Sequence, residues 1–329
     1  MIIGVELSES DTANRARGNY LVNELIKNGY KSCFVEEETK VDIRILLKRD
    51  FFRKKKNEIL IFDISDPILF SPRGYSFIRK IYHKYFMNRK YGHFFKMCDG
   101  VIVASETQKQ SVLKYNKNTF VIEDSSYYHQ FYKHGIPKID DDKIIFVWDG
   151  QGHNFIYLLS ILNRNIEFFK NYDVLIKVIT DLVNPISNEN NLNILSNLGI
   201  NYEFVEWNNL TFMDEVAKGH IGLAPLDILC QHAYAKPCNK MINYQGLSMP
   251  VIASNIPSYY DFSINSPGEI IICSDDSDWS SALEYCRTNK VKLITSGNEG
   301  RKFVIDNYDP SNLIRKWINV IESLIQKKN

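Results

Sequence analysis

The 329-residue sequence has no hydrophobic run long enough to cross a bilayer and almost no net charge. Its opening stretch, "MIIGVELSES", has no basic segment ahead of an apolar one, so it reads as a strand entering a polar loop and not as a signal peptide. Six scattered cysteines (Cys33, Cys98, Cys230, Cys238, Cys273 and Cys286) form no paired spacing, and with no export signal they are expected to be reduced and buried. Cys230, His232 and Cys238 lack the spacing and the fourth ligand of a zinc site, so no metal is expected. The seven histidines show no pair placed for phosphoryl chemistry. Low-complexity tracts and short repeats are also missing.

What remains is an ordinary globular composition, 44% hydrophobic and 24% charged, in a chain longer than one core usually supports. Two domains are therefore expected. The formal net charge of +1 conceals an asymmetry, because Lys48 to Lys96 carries 13 Lys/Arg against 4 Asp/Glu. Such a field favours an acidic partner.

Short apolar runs alternate with helical periodicity throughout. "IIGVEL", "KSCFVE", "EILIFDI", "GVIVAS" and "TFVIED" read as strands of the first half. "KIIFVWDG", "DVLIKVIT", "NYEFVEW", "HIGLAPL", "PVIAS" and "EIIIC" read as strands of the second. Apolar strands separated by helices predict parallel sheets covered on both faces. The pattern restarts after "YKHGIPKIDDDK", residues 132–143, which places a boundary there. The expected organisation is an α/β chain of two doubly wound, Rossmann-like domains facing a cleft, spanning 1–138 and 139–308. A final amphipathic helix is expected over 309–329, with Leu313, Trp317, Val320, Ile321 and Leu324 facing inward.

In such sheets ligands gather beyond the carboxyl ends of the strands. In the second domain that edge offers Gly150, Gly152, His153 and Asn154 after "FVWD", then Thr180 and Trp207 after the next two strands. The glycines allow close backbone approach to a phosphate, although the third glycine of a dinucleotide fingerprint is missing. "AKPCNKMINYQGLSMPVIAS" predicts a helix starting at Pro237, with Met241, Tyr244 and Leu247 on one packed face and Pro250 as its stop. Lys236, Asn239 and Lys240 then stand near its front, where an anion is favoured. In the first domain Arg15 and Arg17 follow the first strand, Asp63 and Asp66 end "IFDISDP", and Glu106 opens a helix after "VIVAS". "FIRKIYHKYFMNRKYGHFF", with "RDFFRKKK" nearby, mixes aromatics and cations as a helix resting on an anionic bilayer does. No other feature supports nucleic-acid binding.

With these residues in hand, the chain resembles the GT-B glycosyltransferases, and among them the retaining group of bacterial polysaccharide and lipopolysaccharide enzymes. The likeness lies in "PCNKMINYQGLSMPVIASNIPSYYDF", "FVEW", "GLAPL", "CDGVIVASETQKQSVLK" and the late "IRKWINVIESL". The resemblance implies a nucleoside diphosphate sugar held by the second domain and a glycan or lipid-linked acceptor held by the first, with no metal or other cofactor, and a terminal helix, 309–329, that packs back towards the first domain. It implies that Lys240 lies near the donor phosphates with Asn239 as neighbour, and that Asn243 takes the place of a ribose-binding glutamate. A second family glutamate falls at Ala235, and a cationic pair falls near Gln151 and His153. On this reading Lys240, Asp63 and Asp66 are catalytic candidates. Gly150, Gly152, His153, Asn154, Thr180, Trp207, Lys236, Asn239 and Asn243 are donor contacts, and Arg15, Arg17 and Glu106 lie on the acceptor side. A cytoplasmic enzyme of surface-polysaccharide synthesis follows, held peripherally at the inner face of the plasma membrane through residues 48–96. The missing glutamates also fit a catalytically silent partner of another transferase, while the acids and histidines of a nucleotide-sugar epimerase are not seen.

Overall fold

The computed structural model describes residues 1–8, 14–48, 54–72, 77–125, 143–181 and 185–328, without the side chains of 15, 16 and 185–189. The boundary segment 132–142 and "RDFFR", 49–53, lie outside the described residues. The chain divides into two compact units. One comprises Met1–Tyr127, Leu229–Asn239 and Asp306–Asn329; the other comprises Tyr128–Ile228 and Lys240–Ile305.

The first unit is built on a parallel six-stranded sheet in the order β2-β1-β3-β4-β5-β6. Its strands are β1 (Ile2–Glu6), β2 (Lys31–Phe34), β3 (Ile43–Leu47), β4 (Ile59–Ile64), β5 (Gly100–Val103) and β6 (Thr119–Val121). Alternate side chains divide between the faces, as the strand pleat requires. Ile43, Ile45, Ile59, Ile61 and Ile102 pack on one face with helix α1 (Asn19–Lys27) and the C-terminal helix Pro310–Lys328, whose Ile314, Trp317, Ile321 and Leu324 are buried there. Leu46, Leu60, Phe62, Val101 and Val103 pack on the other, against α3 (Asn88–Met97), which supplies Tyr91, Phe94 and Phe95. Gly100 lets that first packing close tightly, since a Cβ there would lie 2.7 Å from Leu324 Cδ1 and that side chain would have to shift.

β3 is a central strand that the apolar-run reading passed over. The reason is Arg44 in its middle, a charge that interrupts the apolar signal. Arg44 is buried and satisfied by Glu6 at 2.8 Å and Glu58 at 3.2 Å, so the strand carries its cation inside an ion network.

The second unit repeats the plan with a parallel sheet in the order β12-β11-β10-β7-β8-β9. These strands are β7 (Ile144–Gly150), β8 (Val174–Thr180), β9 (Tyr202–Glu206), β10 (Ile221–Ala224), β11 (Val251–Ser254) and β12 (Ile270–Cys273). α5 (Phe155–Arg164) and α7 (Asp276–Thr288) cover a core that includes Trp148, Leu158, Leu162, Trp279 and Leu283. Between them in sequence lies α6 (Asn239–Gly246), in which every side chain from Met241 to Gln245 is buried, more than the one face expected. Pro250 does not stop this helix. Its end is closed by Ser248 in the left-handed region, φ 61°, with the Met249 amide donating to the Tyr244 carbonyl at 2.9 Å.

Of the cysteines, Cys98, Cys238, Cys273 and Cys286 are buried, Cys230 is half-buried and Cys33 is exposed, which corrects the expectation for the last. Cys33 lies on an edge strand whose side chains are largely open to solvent.

Candidate functional site

In the second unit the ends of β7, β8 and β9 form one ledge. Gly150 pairs in register with Thr180, and Thr180 with Glu206. Lys240, on the first turn of α6, places its Nζ 3.3 Å from Asp149 Oδ1, 5.3 Å from the Trp148 ring centre and 5.8 Å from that of Tyr244. The Tyr244 hydroxyl accepts the Asp149 amide at 3.2 Å and donates to the Leu223 carbonyl at 3.3 Å, fixing both ends of the arrangement. One-fifth of the Lys240 side-chain surface is open, and its Nζ is buried. Burial lowers its pKa, with Asp149 acting in the opposite sense. The result is a cation braced by one carboxylate and two aromatic faces, with donor capacity left over.

Gly150 is needed where it stands, since a Cβ would meet the Trp148 indole at 2.8 Å. That indole stacks on Phe155, 5.5 Å between ring centres. The Gly152 amide, which the sequence offers to a phosphate, donates instead to the Asp181 carboxylate at 3.1 Å. A carboxylate at the start of a helical segment is what free amides and the helix dipole favour. His153 and Asn154 lie in the Gly152–Asn154 turn, His153 exposed and Asn154 half-buried, and Asn154 does not cap α5 with its side chain.

Four side-chain atoms of the ledge and α6 are buried without a hydrogen-bond partner among the described residues: Asp149 Oδ1, Thr180 Oγ1, Lys240 Nζ and Asn243 Oδ1. Such atoms are uncommon in folded proteins, because desolvation without a partner costs about 1–3 kcal/mol. Trp207 follows β9, donates its amide to the Thr180 carbonyl at 2.8 Å and packs on Phe212 at 5.6 Å.

Lys236 and Asn239 take a different place from the one their sequence neighbourhood suggested. Their segment, Leu229–Asn239, packs with the first unit. The Ala235 carbonyl accepts from Ser105 Oγ at 3.0 Å and from Gln108 Nε2 at 3.2 Å, and the Asn239 amide group donates to Asp124. Asn239 Oδ1 is also buried without a partner.

Asp124 belongs to the second cluster, in the first unit. Arg17 Nε lies 3.0 Å from Asp63 and 3.1 Å from Asp124, and both Arg17 terminal nitrogens donate to the Ile122 carbonyl, at 2.8 and 2.6 Å. All three side chains are within 2% of full burial. Burial pushes the Asp63 carboxyl up to about 7 against the pull of Arg17, and raises Asp124 as well. Asp124, which ends β6 as "VIED", was legible as a strand-end acid but carried no role until Arg17 was placed beside it. Arg17 is thus buried within the first unit and not exposed. Asp66 is exposed and paired with Lys48, and Glu106 is exposed and paired with Lys109 at 3.4 Å. The Arg15 side chain lies outside the described residues. Among the described residues no three His, Cys, Asp or Glu side chains are grouped for a metal ion, and no helix is long and apolar enough to cross a membrane.

No protein-family model and no curated protein matches the chain. Solved structures do, at low identity. A Staphylococcus aureus TarM variant in complex with fondaparinux, alpha-GlcNAc-glycerol and UDP is 16% identical with a TM-score of 0.62, over 84% of this chain and 55% of that one. The chain therefore spans about half the length of TarM. Sucrose-phosphate synthase from Thermosynechococcus elongatus is 12% identical with a TM-score of 0.69, over 99% of both chains. WaaG, a glycosyltransferase involved in lipopolysaccharide biosynthesis, is 11% identical with a TM-score of 0.65, over 98% of this chain and 99% of that one. The two parallel six-stranded sheets with interleaved helices are the GT-B fold of these proteins.

Proposed function

We propose that the chain is a glycosyltransferase that moves a sugar from a nucleoside diphosphate sugar to a hydroxyl of a glycan or lipid-linked acceptor. The observation that carries this is Lys240, a cation at the carboxyl edge of a Rossmann-like sheet whose buried Nζ has donors left unused, in the same unit as the unpartnered Thr180 Oγ1 and Asn243 Oδ1. The fold supports it, since it is shared with sugar transferases, one of which holds UDP. Lys240 would stabilise the charge that develops on the departing diphosphate, the moment at which a preorganised cation contributes most. Thr180 and Asn243 would meet hydroxyls or phosphate oxygens of the same ligand. The proposed reaction retains the anomeric configuration, needs no metal and serves surface-polysaccharide synthesis at the cytoplasmic face of a membrane.

A second reading, a catalytically silent partner of another transferase, is favoured by two contacts. Asp149 already offsets Lys240, and Asp181 already occupies the Gly152 amide.

Calorimetric titration with UDP, GDP, CMP and TDP in the absence of metal separates the two. Micromolar binding of one nucleotide, weakened in Lys240→Ala without loss of fold, supports the transferase. Absence of binding by all four, or equal binding by the folded variant, removes it and directs the search to a partner subunit.

A further inference from the structure

Residues 77–97 form one continuous helical run, α2 (Phe77–Tyr82), a wider turn (His83–Met87) and α3. The run has two different halves. Tyr91, Phe94 and Phe95 in the second half are buried in the first unit's core. In the first half only His83 is buried, and Phe77, Ile78, Ile81, Tyr82, Tyr85 and Phe86 are exposed, Phe77 and Ile78 by more than three-quarters.

Residues four apart stack along a helix, so the pattern can be read as rows. Phe77, Ile81 and Tyr85 form one row and Ile78, Tyr82 and Phe86 the next, and the Tyr82 and Phe86 rings stack at 5.2 Å. The third row turns inward through His83 and Met87 to the core. The fourth carries Lys80 and Lys84, both exposed, and the two apolar rows run out into Arg89 and Lys90. Six contiguous apolar side chains rimmed by cations are far from the scattered apolar residues of an ordinary surface. The sequence from Pro67 to Cys98 contains seven Lys/Arg and no Asp or Glu.

We propose that this face docks on an anionic lipid bilayer, with the two apolar rows entering the headgroup boundary and the flanking cations meeting lipid phosphates. The charge decides the occupant. A second copy of the chain seated on this face would bring like charges together, whereas an anionic surface is complementary to it. Aromatic rows with basic flanks are the arrangement that holds helices in the plane of a bilayer interface. The inference stands on its own and holds whether or not the chain transfers a sugar.

The test is co-sedimentation of the full chain with vesicles of phosphatidylcholine alone and with vesicles of equal parts phosphatidylcholine and phosphatidylglycerol. Binding to the anionic vesicles at low salt, weakened by high salt and absent on the neutral ones, is the expected result. Lys80→Gln with Lys84→Gln should weaken it about 30-fold, about fivefold for each cation. Ile78→Ser with Tyr82→Ser and Phe86→Ser should abolish it at low salt, with an unchanged thermal transition because the three side chains are exposed. The proposal is overturned by absence of binding to anionic vesicles, by equal binding to neutral ones, or by full binding of both variants. Self-association lost in the serine variant, with no vesicle binding in the wild type, would also overturn it in favour of a second copy.

Discussion

The two units carry the same device at the same kind of place, a cation among acids near the carboxyl ends of strands, and finish it differently. In the first, Arg17 has two carboxylates and a carbonyl around it and no surface left. In the second, Lys240 has one carboxylate and two ring faces, and its buried Nζ has donors left unused. A guanidinium between two carboxylates and a carbonyl holds a fold together, while an ammonium beside one carboxylate has hydrogen-bonding capacity left for a ligand. The contrast separates structural charge from available charge more surely than residue type does.

The largest effect expected from breaking this contrast is on the first unit. Arg17→Met leaves Asp63 and Asp124 buried without their cation and should cost about 3–5 kcal/mol in urea denaturation. Lys240→Met should cost little stability, yet lower nucleotide affinity by about 10- to 100-fold in calorimetry, the range for losing a charged hydrogen bond.

The pH dependence is a third handle. Asp63 titrates near 7 when folded and near 3.8 unfolded, so the folded state holds the proton over that window. Its contribution is fully present below the unfolded value and is lost as pH rises through about 7. Relative to Asp63→Asn, the wild type should therefore lose stability between those limits, by at most ~1.4 kcal/mol per pH unit. Denaturation curves of both proteins across that range check it, and parallel curves would refute it.

Asp149→Asn sharpens the comparison from the other side. It removes the charge that offsets Lys240 and should raise nucleotide affinity severalfold, read in the same titrations. The smallest loss to the fold belongs to Thr180→Val, which deletes a hydroxyl with no partner among the described residues. Stability should not fall, since an unpartnered buried hydroxyl is itself unfavourable, and any loss of nucleotide affinity would identify Thr180 Oγ1 as a ligand contact.

Much of the fold was legible because apolar strands and amphipathic helices alternate with clear periods. Eleven of the strands were visible as apolar runs, and β3 was not, since Arg44 breaks its pattern and is tolerable there through Glu6, Glu58 and the Glu36 and Thr39 carbonyls, all brought to it by the fold. The ledge residues were legible too, because Thr180, Trp207 and the Gly150–Gly152 turn follow strands by position alone. Their bonding was not. Nothing local in the chain says that Asp181 takes the Gly152 amide or that Asp149 faces Lys240.

By itself, then, the sequence determined the alternation of strand and helix, the strand ends at which polar residues collect, and the basic aromatic stretch at 77–97. Those properties are local, set by side-chain periodicity and backbone preference within a few residues. Only the tertiary structure decided which charges are spent and which remain. Arg17 and the Ile122 carbonyl that it binds are 105 positions apart, and Asp149 and the Tyr244 hydroxyl that receives its amide are 95 apart. Pairing over such separations is fixed by the packing of the sheets, which brings strand ends from distant parts of the chain within hydrogen-bonding reach.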